Sequence, residues 1–338
     1  MKRNFYIVNK TGSIGNLNFF TDDLPEPEEN EITVEVKSIG LNFADIFAIL
    51  GLYSATPKGS FIPGLEYSGI VLKKGKAVNS VSEGDKIMGL TRFGAYATHL
   101  NIDADYVNKL PVDWNFTEGA SFLVNVLTAY YALTELGNIK QNQTVLIHSA
   151  AGGVGVYANR IAKKFNAYTI GTTGSPEKIE LLKKEGYNDF IVRKKNFKEE
   201  LKERLKNKEL NLVLECIGGS VFKSSYEMLA PQGRLITYGS ANFTPAGNRV
   251  NVLKAIYNYL TRPKIDPLKM INTNRSVMGF NLIWLWEKKK QFAGMLNEIE
   301  KLNLEKPVIG KVFPFEDLLS AVRYLQSGKS IGKVVVKI

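Results

Sequence analysis

Residues 149–155 have the spacing of a segment that binds the diphosphate of a dinucleotide. They read SAAGGVG, and the pattern G-x-G-x-x-G places Ala150, Gly152 and Gly155 at its glycine positions, with alanine replacing the first glycine. An apolar run precedes the segment and a helical pattern follows it, which is the context that this motif requires. Glycines let backbone amides approach a diphosphate, and the helix N-terminus adds partial positive charge. A tight turn without a ligand is the alternative, but the context favours a cofactor site. Its predicted residues are Ala150, Gly152, Gly153, Val154 and Gly155.

The end of the next predicted strand indicates which dinucleotide binds. A site for NAD has Asp or Glu about 20 residues after the glycines, where the carboxylate holds the ribose 2′-hydroxyl. Here residues 171–178 read GTTGSPEK, and the only carboxylate, Glu177, follows a proline and is predicted in the first helical turn. A solvated helix position is the alternative for Lys178, because lysines are mostly exposed. The segment favours NADP(H), and its predicted contacts are Thr172, Gly174, Ser175 and Lys178.

Cysteine and histidine are too few for a zinc site. The chain has one cysteine, Cys216, and two histidines, His99 and His148. Zinc sites in proteins draw most of their ligands from these two residue types, so we predict neither a catalytic nor a structural zinc ion. A disulfide framework is excluded for the same reason. Since His148 ends an apolar strand, we interpret it as a packing residue rather than an acid or a base.

Two kinds of element must position these residues. Residues 1–110 consist of short runs separated by glycines, a spacing that predicts a β-rich domain of barrel type. From about residue 125 onward strands alternate with helices, which predicts βαβ units and a parallel sheet. The last run, 333–338, is again a strand. We therefore expect a β-rich domain built from both chain ends, with a doubly wound domain inserted.

Composition and charge restrict the partners. Apolar residues make up 44% of the chain and charged residues 23%, which excludes a largely disordered protein. The net charge of +11 is concentrated in residues 160–210, with 14 basic and 8 acidic side chains, and in 244–275, with 6 and 1. This pattern suits a phosphorylated cofactor or an anionic membrane surface better than nucleic acid, which we do not expect as a partner. No run approaches the roughly 18 apolar residues of a membrane span, so we predict a cytoplasmic protein with at most a weak contact to anionic membrane surfaces.

The order of several segments resembles the medium-chain dehydrogenase/reductase superfamily. Within it the chain is similar to the zinc-independent, zeta-crystallin-like quinone oxidoreductases, and residues 273–282 resemble the synaptic vesicle membrane (vesicle amine transport) protein subfamily. Zinc alcohol dehydrogenases of this superfamily hold zinc with a cysteine in the first domain and a histidine in a G-H-E-x-x-G segment. Here residues 42–45 contain no cysteine, and Leu65 replaces the histidine. The matching segments are GLNFAD (40–45), GLY (51–53), PGLEYSG (63–69), residues 81–88, LTAY (127–130), residues 150–155 and GKVV (332–335).

The resemblance implies an α/β fold of two domains. A GroES-like, β-rich catalytic domain would comprise residues 1–124 and 285–338. A Rossmann dinucleotide-binding domain with a doubly wound parallel sheet would comprise residues 125–284.

The resemblance also implies a substrate slot lined by Asn42, Asp45 and Tyr53. In this interpretation Asn42 hydrogen-bonds the substrate oxygen, Tyr53 orients it or donates a proton, and Asp45 holds the loop. A helix-capping role for Asp45 and a simple lining role for Tyr53 are the alternatives. Further implied cofactor contacts are Asn42, Thr128, Arg193, Gly239, Ser240, Phe280 and Asn281.

Two positions depart from the family pattern. Phe47 stands where related quinone reductases often carry a second tyrosine, which makes the slot more apolar. Arg193 stands at or beside a tyrosine that contacts the 2′-phosphate in relatives, and a guanidinium binds phosphate at least as well.

The implied activity is reduction of a quinone or an α,β-unsaturated carbonyl by NADPH, without a metal ion. Conjugation already makes the accepting carbon electrophilic, so the protein supplies mainly position and an apolar slot. The alternative is a nucleotide-binding adaptor at a membrane surface, with weak or no catalysis.

Two further segments bear on partners. Residues 276–282 are predicted as the terminal strand of the nucleotide-binding sheet, and an exposed edge favours pairing with a second copy in a C₂ homodimer, as in relatives. Residues 250–260 form a helical apolar stripe, which is interpreted as a cap over the cleft, as a dimer contact, or as a basic amphipathic surface for anionic lipid.

Overall fold

The computed structural model describes residues 1–338, and β-strands supply its two large sheets. The strands in chain order are β1 (Lys2–Val8), β2 (Leu17–Asp23), β3 (Glu31–Gly40), β4 (Glu66–Lys74), β5 (Lys86–Leu90), β6 (His99–Asp103), β7 (Val107–Lys109), β8 (Thr144–Ile147), β9 (Tyr168–Thr173), β10 (Asp189–Val192), β11 (Leu210–Glu215), β12 (Leu229–Thr237), β13 (Ser276–Gly279), β14 (Ile309–Pro314) and β15 (Lys333–Lys337).

Helices cover the sheets and connect their strands. They are α1 (Phe43–Ile49), α2 (Phe116–Gly119), α3 (Leu123–Tyr130), α4 (Gly153–Lys164), α5 (Ile179–Lys184), α6 (Phe197–Leu205), α7 (Gly219–Glu227), α8 (Val252–Leu260), α9 (Pro267–Thr273), α10 (Lys289–Lys301) and α11 (Leu318–Gln326). Helix α3 continues into a π-helical segment, Tyr131–Leu136. None of these helices is long and apolar enough to cross a membrane.

A six-stranded parallel sheet has the order β10-β9-β8-β11-β12-β13. All four residues of β8 are buried, as expected for a central strand with both faces covered. The strand order reverses between β8 and β11, which is the topology of a doubly wound Rossmann fold and confirms the predicted fold class. Ligands of such sheets bind outside the carboxyl ends of the strands at this reversal.

The second large sheet belongs to the GroES-like part of the chain. Its order is β14-β15-β3-β4-β5-β7, and β6 also pairs with β3. Most of its pairs are antiparallel, and the C-terminal β15 pairs with the N-terminal β3. Both chain ends therefore build one sheet, as predicted.

The strands divide between the two sheets as the proposed domain boundaries require. Every strand of the parallel sheet lies within residues 125–284, and every strand of the GroES-like sheet lies outside that range. Helix α10 follows the boundary at 285, yet its Phe292, Met295 and Ile299 share a hydrophobic cluster with Val145 of β8. We therefore keep these boundaries as a proposal, with α10 bridging the two parts.

The predicted edge strand is shorter than expected. It ends at Gly279 rather than at residue 282, because Phe280 and Asn281 leave the sheet at its carboxyl edge and a 3₁₀ turn follows at Leu282–Leu285. Strand β13 pairs only with β12, so its other side forms the edge of the sheet.

Candidate active site

A cleft of about 830 Å³ lies at the carboxyl end of the parallel sheet and is also lined by the GroES-like domain. Its wall is mostly apolar, and Lys333 is the only charged side chain in it. The volume of the cleft and its mostly apolar lining are typical of a site that binds a small molecule. The predicted residues in its wall are Asn42, Tyr53, Thr128, Gly152, Gly153, Val154, Gly155, Gly239, Ser240, Phe280 and Asn281. The predicted residues outside its wall are Asp45, Ala150, Thr172, Gly174, Ser175, Lys178 and Arg193.

The glycine segment turns from β8 into α4 as its pattern predicts. Gly152 is the N-cap residue of α4, and the first amides of a helix have no partner within it. A Cβ on Gly153 would lie 2.5 Å from the Asn125 side chain, and one on Gly155 would lie 2.6 Å from the Cα of Ala150. A side chain at either position would therefore clash with its neighbours, which explains the glycines in the first turn of α4. Ala150 itself is fully buried beneath the turn.

Two basic side chains flank the turn after β9. The Lys178 ammonium donates to the carbonyl of Gly328 at 2.5 Å, and the Arg193 guanidinium donates to the hydroxyl of Thr172 at 2.7 Å. Neither forms an ion pair with a carboxylate. Burial lowers the pKa of both groups, and repulsion from Arg193 lowers the pKa of Lys178 further. The charges of Glu177 and Glu215 oppose this lowering of the pKa for Lys178 and Arg193, respectively, without forming ion pairs with them. A Cβ on Gly174 would lie 3.6 Å from an Arg193 nitrogen, so the turn leaves space beside the two cations. An anion fits this basic recess, which we define as Gly174, Lys178 and Arg193.

The structure places Thr172 differently from the prediction. Its side chain is fully buried and faces His148 and Arg193 rather than a ligand. Successive strand residues point to opposite faces, so only one of the two threonines that end β9 can point toward a given side of the sheet. The direct cofactor contact expected of Thr172 is therefore corrected to a contact with Arg193.

Three hydrogen bonds fix the amide of Asn42 at the start of α1. Its Oδ1 accepts from the Lys333 ammonium at 2.8 Å, and its Nδ2 donates to the carbonyl of Gly40 at 3.2 Å and to Glu66 Oε1 at 3.1 Å. Lys333 also forms a buried ion pair with Glu66, whose second oxygen accepts from the Val124 amide at 3.1 Å. Both amide hydrogens of Asn42 are thus used within the protein. What remains available to a ligand is a lone pair of Oδ1.

Tyr53 and Asn281 meet across the cleft from different domains. The Tyr53 hydroxyl donates to Asn281 Oδ1 at 2.7 Å, and burial raises the pKa of Tyr53 to about 12. The phenol is therefore protonated at neutral pH. Nearby, Thr128 donates to the Val124 carbonyl at 2.6 Å, and the ring of Phe280 packs on Tyr131.

Asp45 lies below the cleft rather than in it. Its Oδ2 accepts from the backbone N–H of Asn42 at 2.8 Å and from the Tyr96 hydroxyl at 3.0 Å, and the side chain is fully buried. Burial raises its pKa to about 7, although these hydrogen bonds and the charge of Lys333 oppose the increase. Its contacts are those of the residue that holds the start of α1, which was one of the roles expected of it.

The sequence did not predict roles for the buried ion pair beside the cleft, Glu66 and Lys333. Both had been noted only as members of family segments. Each stands at the first position of a strand whose next residues are buried, Tyr67, Ser68 and Gly69 after Glu66 and three valines after Lys333. A charged residue at the head of such a run is the signal that would have identified them. Trp286 was also missed; it lines the cleft and stacks on Tyr106 with a ring separation of 3.7 Å.

The residues present do not fit a metal ion. No three His, Cys, Asp or Glu side chains lie together where they could hold one. Asn42 and Leu65 line the cleft wall near the ion pair, and neither supplies a zinc ligand of the usual type.

Comparisons with known proteins agree with this architecture. Residues 28–112 match the family described as "Alcohol dehydrogenase GroES-like domain", and residues 153–301 match "Zinc-binding dehydrogenase". The Homo sapiens "Synaptic vesicle membrane protein VAT-1 homolog" is 32% identical over 316 residues, which cover 92% of this chain and 80% of that protein.

Solved structures resemble the chain over its whole length. The Escherichia coli quinone oxidoreductase complexed with NADPH has a TM-score of 0.86 and 27% identity, covering 99% of this chain and 100% of that one. The CurK enoyl reductase has a TM-score of 0.84 and 28% identity, covering 99% of both chains. These matches cover both large sheets in their order along the chain. The chain belongs to the medium-chain dehydrogenase/reductase superfamily of oxidoreductases, close to the VAT-1 homologues and the quinone oxidoreductases.

Proposed function

We propose that this protein is an NADPH-dependent reductase of quinones or α,β-unsaturated carbonyls. The observation that carries the proposal is the basic recess beside the glycine segment, where neither Lys178 nor Arg193 forms an ion pair with a carboxylate. A 2′-phosphate is the group that distinguishes NADPH from NADH, and it would supply the missing negative charge. The quinone oxidoreductase with a TM-score of 0.86 was solved as an NADPH complex, which supports the same assignment.

The chain's residues divide the work of binding. Gly153, Val154 and Gly155, at the start of α4, would present backbone amides to the diphosphate, and the recess would hold the 2′-phosphate. The N–H of Gly152 donates to the Ser149 carbonyl at 2.8 Å, so Gly152 would instead allow the close approach of the ligand. Thr128, Gly239, Ser240, Phe280 and Asn281 would line the nicotinamide position. When bound, the nicotinamide supplies hydride transfer to a carbon made electrophilic by conjugation.

The cleft wall would position the substrate and stabilise charge that develops on its oxygen. Apolar side chains, among them Phe47 and Trp286, exclude water from the slot. Lys333 uses two of its three N–H groups on Asn42 and Glu66, so the third can donate to an oxygen in the cleft. The Tyr53 hydroxyl is neutral and can orient the substrate or pass on a proton.

NADPH oxidation by the purified full chain tests this proposal. We expect steady turnover with some members of a panel of benzoquinones, naphthoquinones and enones, and slower turnover with NADH. Because no metal-ligand cluster is present, prior treatment with a chelator should leave the rate unchanged, and elemental analysis should show no stoichiometric zinc. Absence of turnover with every acceptor, or activity lost with about one zinc per chain, would refute the proposal.

We also propose that the chain forms a homodimer through the edge strand β13. One side of this strand has no partner, and paired edges would join two parallel sheets into one. The wild-type protein should then scatter light with twice the chain mass of 37.7 kDa. Val277→Pro should shift it toward the single-chain mass, because proline removes a backbone donor and distorts the edge. A wild-type protein with the single-chain mass at micromolar concentration would contradict this assembly.

A second candidate function, an adaptor at the surface of anionic membranes, is favoured by α8 and α9. The predicted apolar stripe does form α8, but none of its residues is buried and none lines the cleft. Leu253 and Ile271 are 81% and 75% exposed, in a segment with one acidic side chain and several basic ones. Exposed apolar side chains among basic ones suit an anionic bilayer interface. We keep the cytoplasmic location expected from the sequence as part of this proposal.

Sedimentation with vesicles tests the membrane contact. We expect binding to phosphatidylserine vesicles and little binding to phosphatidylcholine vesicles. Leu253→Ser with Ile271→Ser should weaken binding about tenfold or more, because two side chains that would be buried in the interface are lost. Val112→Ser is the matched control, since Val112 is fully exposed elsewhere. Equal binding of both vesicle types, or unchanged binding by the double variant, would count against this candidate.

A further inference from the structure

A buried histidine next to the glycine segment belongs to a chain of hydrogen bonds that ends at the basic recess. His148 is fully buried at the end of β8 and does not line the cleft. Its Nδ1 lies 2.8 Å from the hydroxyl of Thr172, and its Nε2 lies 2.9 Å from the hydroxyl of Ser225 on α7. Thr172 in turn accepts from the Arg193 guanidinium at 2.7 Å. The residue interpreted as mere packing is therefore fully hydrogen-bonded.

Only one placement of the protons satisfies every member of this chain. The Ser225 hydroxyl donates to the Val221 carbonyl at 2.8 Å, so it accepts from His148 Nε2–H. Nδ1 of the neutral ring is then an acceptor. Because Thr172 already accepts from Arg193, its own proton goes to Nδ1. Burial and the charge of Arg193 both lower the pKa of His148, which agrees with a neutral ring.

The direction of these hydrogen bonds holds the Arg193 guanidinium in one orientation. With its proton held by His148, the Thr172 oxygen presents its lone pairs to Arg193 and cannot rotate to offer that cation a hydrogen. One nitrogen of Arg193 is held in this way, and no protein acceptor is found for its other N–H donors. Those donors remain free beside Gly174, where an anion would lie.

We propose that His148 and Thr172 are positioning residues that hold Arg193 for the 2′-phosphate of NADPH and so contribute to the preference over NADH. This inference rests on the proposed function, since it assumes that the recess binds a 2′-phosphate. Neither residue touches the cofactor in this arrangement. Their effect reaches it only through the guanidinium.

Calorimetry with cofactor fragments tests the inference without turnover. The probes are 2′,5′-ADP, which carries the 2′-phosphate, and 5′-AMP, which lacks it, and the protein is the full chain. Thr172→Val removes the hydroxyl at similar size, and Thr172→Ser retains it. His148→Phe keeps a ring but removes both nitrogens. We expect Thr172→Val to weaken 2′,5′-ADP binding about tenfold and His148→Phe to weaken it in the same direction, with 5′-AMP nearly unaffected and Thr172→Ser close to wild type.

A second background shows whether the effect passes through Arg193. Adding Thr172→Val to Arg193→Ala should cause no further loss of preference for 2′,5′-ADP, because the group that it positions is already absent. Wild-type preference in Thr172→Val or His148→Phe, an equal loss for both probes, or a further loss in the Arg193→Ala background would each overturn the inference. If the unmodified protein binds both probes equally, the proposed NADPH specificity fails instead, so the two failures are distinguishable.

Discussion

Arg193→Ala is expected to weaken NADPH binding by about 10- to 100-fold, while the affinity for NADH changes little. A hydrogen bond to a charged group is worth about 1.5–3 kcal/mol, and every 1.4 kcal/mol is a factor of ten. In the basic recess Arg193 is half-buried, held by Thr172 and free of carboxylate partners, so its interaction with a 2′-phosphate would not be offset by a lost ion pair. Titration of each variant with both cofactors, followed by fluorescence, measures the difference.

Variants of two lysines, Lys178 and Lys195, provide the comparisons for Arg193→Ala. Lys178→Ala should also weaken NADPH more than NADH, because Lys178 is the second cation of the recess. Lys195→Ala is the matched control: it removes one positive charge two residues from Arg193, at an exposed position outside the recess. If Lys195→Ala weakened the binding of NADPH as much as Arg193→Ala, the effect would come from the net charge of the protein rather than from a specific phosphate site. Equal affinities of the wild-type protein for NADPH and NADH would contradict the assignment altogether.

Local sequence was sufficient to predict the turn from β8 through the glycine segment into α4. Strand β8, the glycine segment and α4 are continuous in sequence, so the spacing of Gly152 and Gly155 already determines their geometry. The turn after β9 is equally local, and the sequence already shows that no carboxylate ends this strand. The direction of Thr172 was not predicted, because a one-residue change along a strand reverses the side on which a side chain lies.

Contacts between segments that are distant in the sequence could not be predicted from local sequence. Glu66 and Lys333 are 267 residues apart, and only the pairing of both chain ends in one sheet brings them together. The meeting of Tyr53 with Asn281 depends likewise on how the two domains sit against each other. The stripe of α8 shows a further restriction: periodicity predicts that a helix has an apolar face, but it does not specify what covers that face.

Lys333→Met is expected to lower the free energy of unfolding by about 3–5 kcal/mol, the loss typical when one partner of a buried ion pair is removed. Glu66 and Lys333 are both buried, at 1% and 4% exposure, so the remaining carboxylate cannot regain its hydration. Its other hydrogen bonds, from Asn42 Nδ2 and the Val124 amide, are not charged and cannot replace the ammonium. Asn42 also loses the donor that orients its amide toward the cleft. Urea unfolding followed by circular dichroism measures the change.

The double variant Glu66→Gln with Lys333→Met separates the cost of an unpaired charge from the cost of altered packing. Glutamine keeps the shape of the carboxylate and carries no charge, so the double variant should recover part of the lost stability. The recovery is partial because the one oxygen of glutamine can accept from only one of the two donors to Glu66, Asn42 Nδ2 and the Val124 N–H. Replacing a buried pair by neutral groups is often neutral or stabilising, whereas breaking it is not. A single variant within about 1 kcal/mol of wild type would show that water reaches Glu66. A double variant no more stable than Lys333→Met would show that the loss does not come from the unpaired charge of Glu66.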